Sequence, residues 1–126
     1  MTTYLWVALG GAVGSVARFW AGGVAVAALG EAFPWGTLFV NVLGSLIIGA
    51  TAALTGPEGR LAVPGDARVF VMVGLCGGFT TFSSFSLQTL GLMQDGAWLR
   101  AGGNVVLSVV ACLIAVWAGH AAASRL

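Results

Sequence analysis

The run Gly74-Leu75-Cys76-Gly77-Gly78-Phe79-Thr80-Thr81-Phe82-Ser83-Ser84-Phe85-Ser86 sets paired glycines, hydroxyls and regularly spaced phenylalanines inside an otherwise apolar stretch. These residue types handle ions. Gly-Gly weakens a helix by about 1 kcal/mol per Gly relative to Ala, and Ser and Thr favour caps over interiors. The pattern predicts two half-helices, the first ending near Cys76 and the second restarting near Thr80 or Thr81. From residue 69 to 80 is roughly 16 Å of helix rise, about half of a ~30 Å hydrocarbon core. The break is therefore expected at mid-membrane, where irregular backbone is tolerated only inside protein or along a cavity. Carbonyls at the end of the first half suit a hard cation such as Na⁺, and amides and hydroxyls at the start of the second suit an anion. A glycine kink that serves only packing is the competing reading. Phe82 and Phe85 follow at i, i+3, alternating with Ser83, Ser84 and Ser86. Such rings usually pack, yet their electropositive edges also suit a dehydrated anion.

Two polar stripes accompany the break. Thr37, Asn41 and Ser45 recur at i, i+4, i+8, as do Asn104, Ser108 and Cys112, so each set shares a helix face. Interhelical hydrogen bonds, worth about 0.6 kcal/mol each, explain such stripes. A lining for a polar solute explains them equally well. Arg18 is the one ionised residue well inside an apolar run, at a cost of at least about 2.5 kcal/mol. It either snorkels to the interface or faces an aqueous vestibule, where it would attract anions. No Asp or Glu lies in such a run, which argues against a proton- or cation-coupled carrier.

The elements that position these residues follow from composition. The chain has 126 residues, 59% of them hydrophobic and only 7% charged, with 20 glycines and a net charge of +1. So much apolar surface does not fit a soluble domain of this size, and the small net charge offers phosphates no basic face, so a nucleic-acid partner is not expected. Four apolar runs, residues 4–29, 35–54, 69–93 and 101–120, are each long enough to span a bilayer. The connections, 30–34, 55–68 and 94–100, hold the three prolines and all four carboxylates. Tyr4, Trp6, Phe33, Trp35, Trp98 and Trp117 lie near run ends, where amphipathic rings favour headgroups. The fold class is an all-α integral membrane protein of a single domain, multi-pass in the cell (inner or plasma) membrane, with its third helix broken. The first run lacks a basic leader and carries Arg18, so it reads as a retained span. Continuous runs disfavour an alternating β-barrel.

Arg60, Arg68 and Arg125 fall on one side of the membrane and Arg100, with Arg18 at most, on the other. That bias is weak, and such a chain is able to insert either way up. Gly10 and Gly14 form a GxxxG step, Ser45 and Gly49 repeat its spacing, and close helix contacts of this kind point to an oligomer. Cys76 and Cys112 both lie within spans and read as small packing residues. No span offers paired carboxylates, a nucleophile with its base or a metal cluster, so an enzyme is not expected. A small multidrug-type transporter wants an acidic residue in the first span, where this chain has Arg18. A non-transporting assembly subunit would need neither a mid-membrane break nor polar stripes.

Four segments carry a resemblance over essentially the full length: Gly10-Gly11-Ala12-Val13-Gly14-Ser15-Val16-Ala17-Arg18-Phe19, Trp35-Gly36-Thr37-Leu38-Phe39-Val40-Asn41, residues 77–86, and the Asn104/Ser108 face. The chain resembles the bacterial Fluc fluoride channels, also called the CrcB family. The resemblance implies passive, fluoride-selective export by an antiparallel homodimer of dual-topology subunits, with two anion pores and a central Na⁺. In that family the Na⁺ is structural, held by main-chain carbonyls at the positions of Gly77 and Thr80 in both subunits. Phe82 and Phe85 match the rings facing fluoride, Asn41 an essential polar residue, and Ser108 the polar track. Ser84 stands where Thr is usual, Gln88 where many members are acidic, and Asn104 and Cys112 replace Tyr and Ser of some relatives.

Overall fold

The computed structural model describes residues 1–126 and contains helices and connections only. Four stretches are long and apolar enough to cross a membrane: Thr2–Leu29 (α1), Trp35–Thr55 (α2), Gly65–Gln94, and Trp98–Ala123. The third is divided into α3, residues 65–79, and α4, Phe82–Gln94, so that Trp98–Ala123 is α5. Within α3 the segment Phe70–Cys76 is wound as a π-helix between short α-helical ends. The chain crosses alternately, which puts both termini and the 56–64 connection at one end. At that end Thr3 Oγ1 donates to Asp66 Oδ1 at 2.9 Å.

Two glycine seams hold the bundle. A Cβ on Gly10 would lie 2.6 Å from the Phe70 carbonyl oxygen and 2.9 Å from Gly74 Cα, and one on Gly78 would lie 2.6 Å from the Gly11 carbonyl oxygen. Only a residue without Cβ lets α1 and α3 approach this closely. Across the bundle, Gly49 rests on the Val116 carbonyl and Gly119 on the Leu46 carbonyl, joining α2 to α5. Forcing a methyl into such a contact costs about 1–3 kcal/mol. Trp6 packs edge-on to Phe70, ring centroids 5.9 Å apart, and extends the first seam.

The GxxxG step of α1 is therefore occupied inside the subunit and is no longer an argument for an oligomer by itself. Only 18 of 126 residues are buried, and large apolar side chains cover the exterior. Lipid suits most of that surface. It does not suit the exposed backbone near Gly77 and Thr80, which has to be covered by protein or to line a polar cavity.

The first half of the third span ends later than expected, while the second restarts at Thr81 as expected. The helix passes through Gly77 and Gly78 and ends at Phe79, and Thr80 (φ −84°, ψ 158°) and Thr81 (φ −153°, ψ 110°) are extended. The glycines do not break the helix because Gly78 is spent on the contact with Gly11. The last helical bond is made by Thr80, whose main-chain N–H and Oγ1 both donate to the Cys76 carbonyl, each at 2.9 Å, before the chain extends. Thr81 then caps α4, its Oγ1 accepting from the Ser84 N–H at 3.2 Å.

Candidate ion pathway

Two extended residues in the middle of a 30-residue apolar stretch leave main-chain groups without helical partners. Asn41, on α2, supplies the replacement. Its Oδ1 accepts from the Thr81 N–H at 2.7 Å and its Nδ2 donates to the Thr81 carbonyl at 3.1 Å. One side-chain amide thus pairs with both main-chain groups of one residue, as a neighbouring strand would. One turn further along α2, Gly44 admits the Thr80 methyl, which any Cβ there would strike.

Arg18 secures the other side of the break. Its Nε donates to the Gly78 carbonyl at 3.1 Å, in the last turn of α3, where a helix end carries partial negative charge. The carbonyls of Gly77 and Thr80 receive no hydrogen bond. They are hard oxygen donors left open beside the same break.

Cavities lie on both sides of this point, and apolar surface predominates in the smaller. The larger, about 720 Å³, includes Arg18, Thr37, Thr81, Ser84 and Gln88, with Glu31 and Asp95 from the connections at its mouth. The smaller, about 400 Å³, includes Asn41, Ser45, Gly77, Thr80, Phe82, Phe85 and Ser108. Thr81 lines both. The Asn41–Thr81 clasp is therefore the partition between a wide vestibule and a narrower inner chamber.

The structure distributes the sequence candidates unevenly. Thr37 and Asn41 share a helix face but open into different cavities. Phe82 is 77% exposed while Phe85 is buried, with ring centroids 5.2 Å apart at an angle of 46°. Ser83 is exposed and lines neither cavity, whereas Ser84 lines the vestibule and accepts from Thr81 Oγ1 at 3.0 Å. Asn104 is 1% exposed and lines neither of these two cavities. It donates from Nδ2 to Thr89 Oγ1 at 2.9 Å and accepts from Ser108 Oγ at 3.2 Å. The sequence marks Thr81 only as a place where the second half-helix restarts, and it does not mark Thr89 at all. For Thr81 a signal existed, a hydroxyl three residues before Ser84 at a helix start. For Thr89 none did.

Arg18 has two measurable consequences. It is the only cationic side chain in a vestibule lining that also carries Glu31 and Asp95, so it attracts anions locally, beside the Gly78 carbonyl, by a field that salt screens. Arg18→Gln is expected to lower anion flux several-fold at low ionic strength and by less at high ionic strength. Flux into liposomes at the two salt levels checks this; an equal loss at both would assign Arg18 a purely structural role.

Fold and site together define a small multi-pass membrane protein built around a polar, mid-depth break between two cavities. A sequence model of the family described as "CrcB-like protein, Camphor Resistance (CrcB)" matches residues 5–120, and the chain belongs to this family. A relative from Rhodospirillum rubrum is 63% identical over 121 residues, covering 96% of this chain and 94% of its own length. One from Opitutus terrae is 64% identical over 98% of this chain and 93% of its own length. One from Methylocella silvestris is 60% identical, over 95% and 92% respectively. Each of the three bears the name fluoride-specific ion channel FluC.

Proposed function

We propose that this protein is a fluoride-selective passive channel that exports fluoride across the cell membrane and so limits its toxicity. What carries the reading is the near-full-length identity of 60–64% to relatives named as fluoride-specific channels. The geometry supports an anion pathway. Arg18 draws the anion into the vestibule, where the Thr37, Thr81 and Ser84 hydroxyls replace part of its water. Beyond the Asn41–Thr81 clasp, the anion meets the ring edges of Phe82 and Phe85 and the Ser108 hydroxyl. The carboxylates nearest this path, Glu31 and Asp95, belong to the connections and line the vestibule, away from the clasp.

The working unit in this proposal is an antiparallel homodimer of dual-topology subunits with two pores. The exposed Gly77 backbone and the open Gly77 and Thr80 carbonyls at mid-depth are poor surfaces for lipid, and a second copy covers them. The weak arginine bias allows the two orientations such a dimer needs. The donor set at Gly77 and Thr80 fits Na⁺: both carbonyls are unpaired, and a twofold axis would bring two from each subunit together. A bound Na⁺ would neutralise those oxygens and join the subunits, without being transported.

A proton-coupled multidrug exchanger would place a carboxylate where this chain has Arg18, and an assembly subunit would not need the clasp or the cavities. The test is anion efflux from liposomes holding purified protein. Rapid fluoride release with chloride retained is expected. Retention of both ions by folded protein would return the assembly reading to first place.

A further inference from the structure

The buried side chains behind the inner chamber form a continuous chain of hydrogen bonds. Ser108 Oγ donates to Asn104 Oδ1 at 3.2 Å, Asn104 Nδ2 donates to Thr89 Oγ1 at 2.9 Å, and Thr89 Oγ1 donates to the Phe85 carbonyl at 2.7 Å. All three side chains are buried, and only Ser108 reaches the chamber. In this direction the single hydrogen of Ser108 points away from the chamber, so the hydroxyl offers lone pairs to an arriving anion. That is the wrong polarity for binding one.

The same heavy atoms support the opposite direction. Rotating the Asn104 amide by half a turn exchanges its oxygen and nitrogen, which differ little in shape. Thr89 Oγ1 then donates to Asn104 Oδ1, and Asn104 Nδ2 donates to Ser108 Oγ. The Ser108 hydrogen is released into the chamber. The Phe85 carbonyl gives up its side-chain partner. The count of hydrogen bonds is kept once Ser108 donates to an anion, and that bond is charge-assisted.

We propose that Ser108, Asn104 and Thr89 form a reversible hydrogen-bond relay, in which rotation of the Asn104 amide turns Ser108 from an acceptor into a donor when fluoride enters the inner chamber. The inference rests on the proposed fluoride pathway and deepens it. Asn104 and Thr89 are positioning residues: neither touches the ion, and both act through Ser108. No proton leaves its oxygen or nitrogen; only rotors turn. In the released state the amide N–H also polarises the Ser108 hydroxyl, strengthening its donation.

Fluoride efflux per folded dimer in four variants tests the relay, with oligomeric state and melting followed in parallel. Ser108→Ala removes the donor and is expected to lower flux about tenfold, the worth of one hydrogen bond to a charged group. Asn104→Leu conserves volume but abolishes the relay, and is expected to fall to the same level. Thr89→Val leaves the Asn104 amide N–H with Ser108 as its remaining partner, which locks the releasing direction; its flux is expected to equal or exceed that of the parent. Thr89→Ser, which keeps the hydroxyl, is expected to match the parent. A mere fastening of α4 to α5 predicts the reverse for Thr89→Val, so equal losses in Thr89→Val and Asn104→Leu would overturn the relay. Parental flux in Asn104→Leu beside a loss in Ser108→Ala would overturn it too, while leaving the pathway intact. Parental flux in Ser108→Ala would remove Ser108 from the pathway and the relay with it.

Discussion

Replacing Asn41 by aspartate is expected to reduce fluoride flux by a hundredfold or more, on the order of what the electrostatics require. Asn41 meets the break with one acceptor and one donor, matched to the Thr81 N–H and carbonyl. An aspartate keeps the acceptor but turns a second oxygen toward the Thr81 carbonyl, so the clasp is lost on one side. It also sets a negative charge in the partition that the anion must pass. Two unit charges about 4 Å apart repel by about 4 kcal/mol at an effective dielectric of about 20, and each ~1.4 kcal/mol is a factor of ten. Asn41→Leu separates the two effects, because it removes the clasp without adding charge. It is expected to conduct poorly, yet better than Asn41→Asp. Liposome efflux of the two variants, on samples shown to keep the parent's oligomeric state, checks this. Equal flux in parent and Asn41→Asp would remove Asn41 from the pathway.

Phe82→Ile is expected to lower flux by about two- to tenfold while leaving the fold nearly unchanged. The ring is 77% exposed in the subunit and contributes little to its core, so stability is the weaker effect. What isoleucine cannot supply is the electropositive ring edge, and aromatic edge interactions are worth about 0.5–1.5 kcal/mol beyond buried area. Phe85 lies 5.2 Å away and is buried beneath it, so Phe85→Ile is expected to cost both flux and stability. Comparing melting and efflux in the pair distinguishes the two rings. A Phe82→Ile protein that melts as the parent does and conducts fluoride normally would make Phe82 a packing residue.

Much of the fold was legible because the bilayer imposes a simple rule. Four apolar runs with charges in the connections have few alternatives, and the helices lie over them. The third span was harder. Helix propensity marks Gly77-Gly78 as the weak point, but propensity is local, and the tertiary contact of Gly78 with Gly11 turns the same glycine into a helix-packing residue. The true end of α3 lies where Thr80 and Thr81 extend and Asn41 waits across the bundle to pair the freed groups of Thr81, a partner 40 residues away. Periodicity likewise placed Thr37 and Asn41 on one face without showing that a partition divides that face. Asn104 followed the spacing of the polar track, yet its side chain turns to Thr89, a residue with no distinguishing sequence signal. The GxxxG step was read as a sign of oligomers because spacing identifies a contact surface and not the helix that fills it.

The central claim is that a polar break in the third membrane span carries fluoride and excludes the commoner halide. The most direct measurement is the reversal potential of current through purified protein in a planar bilayer, with independent gradients of fluoride and chloride. The potential is expected to follow the fluoride gradient and to ignore chloride. A potential that follows chloride, or a silent bilayer that holds folded protein, would contradict the account.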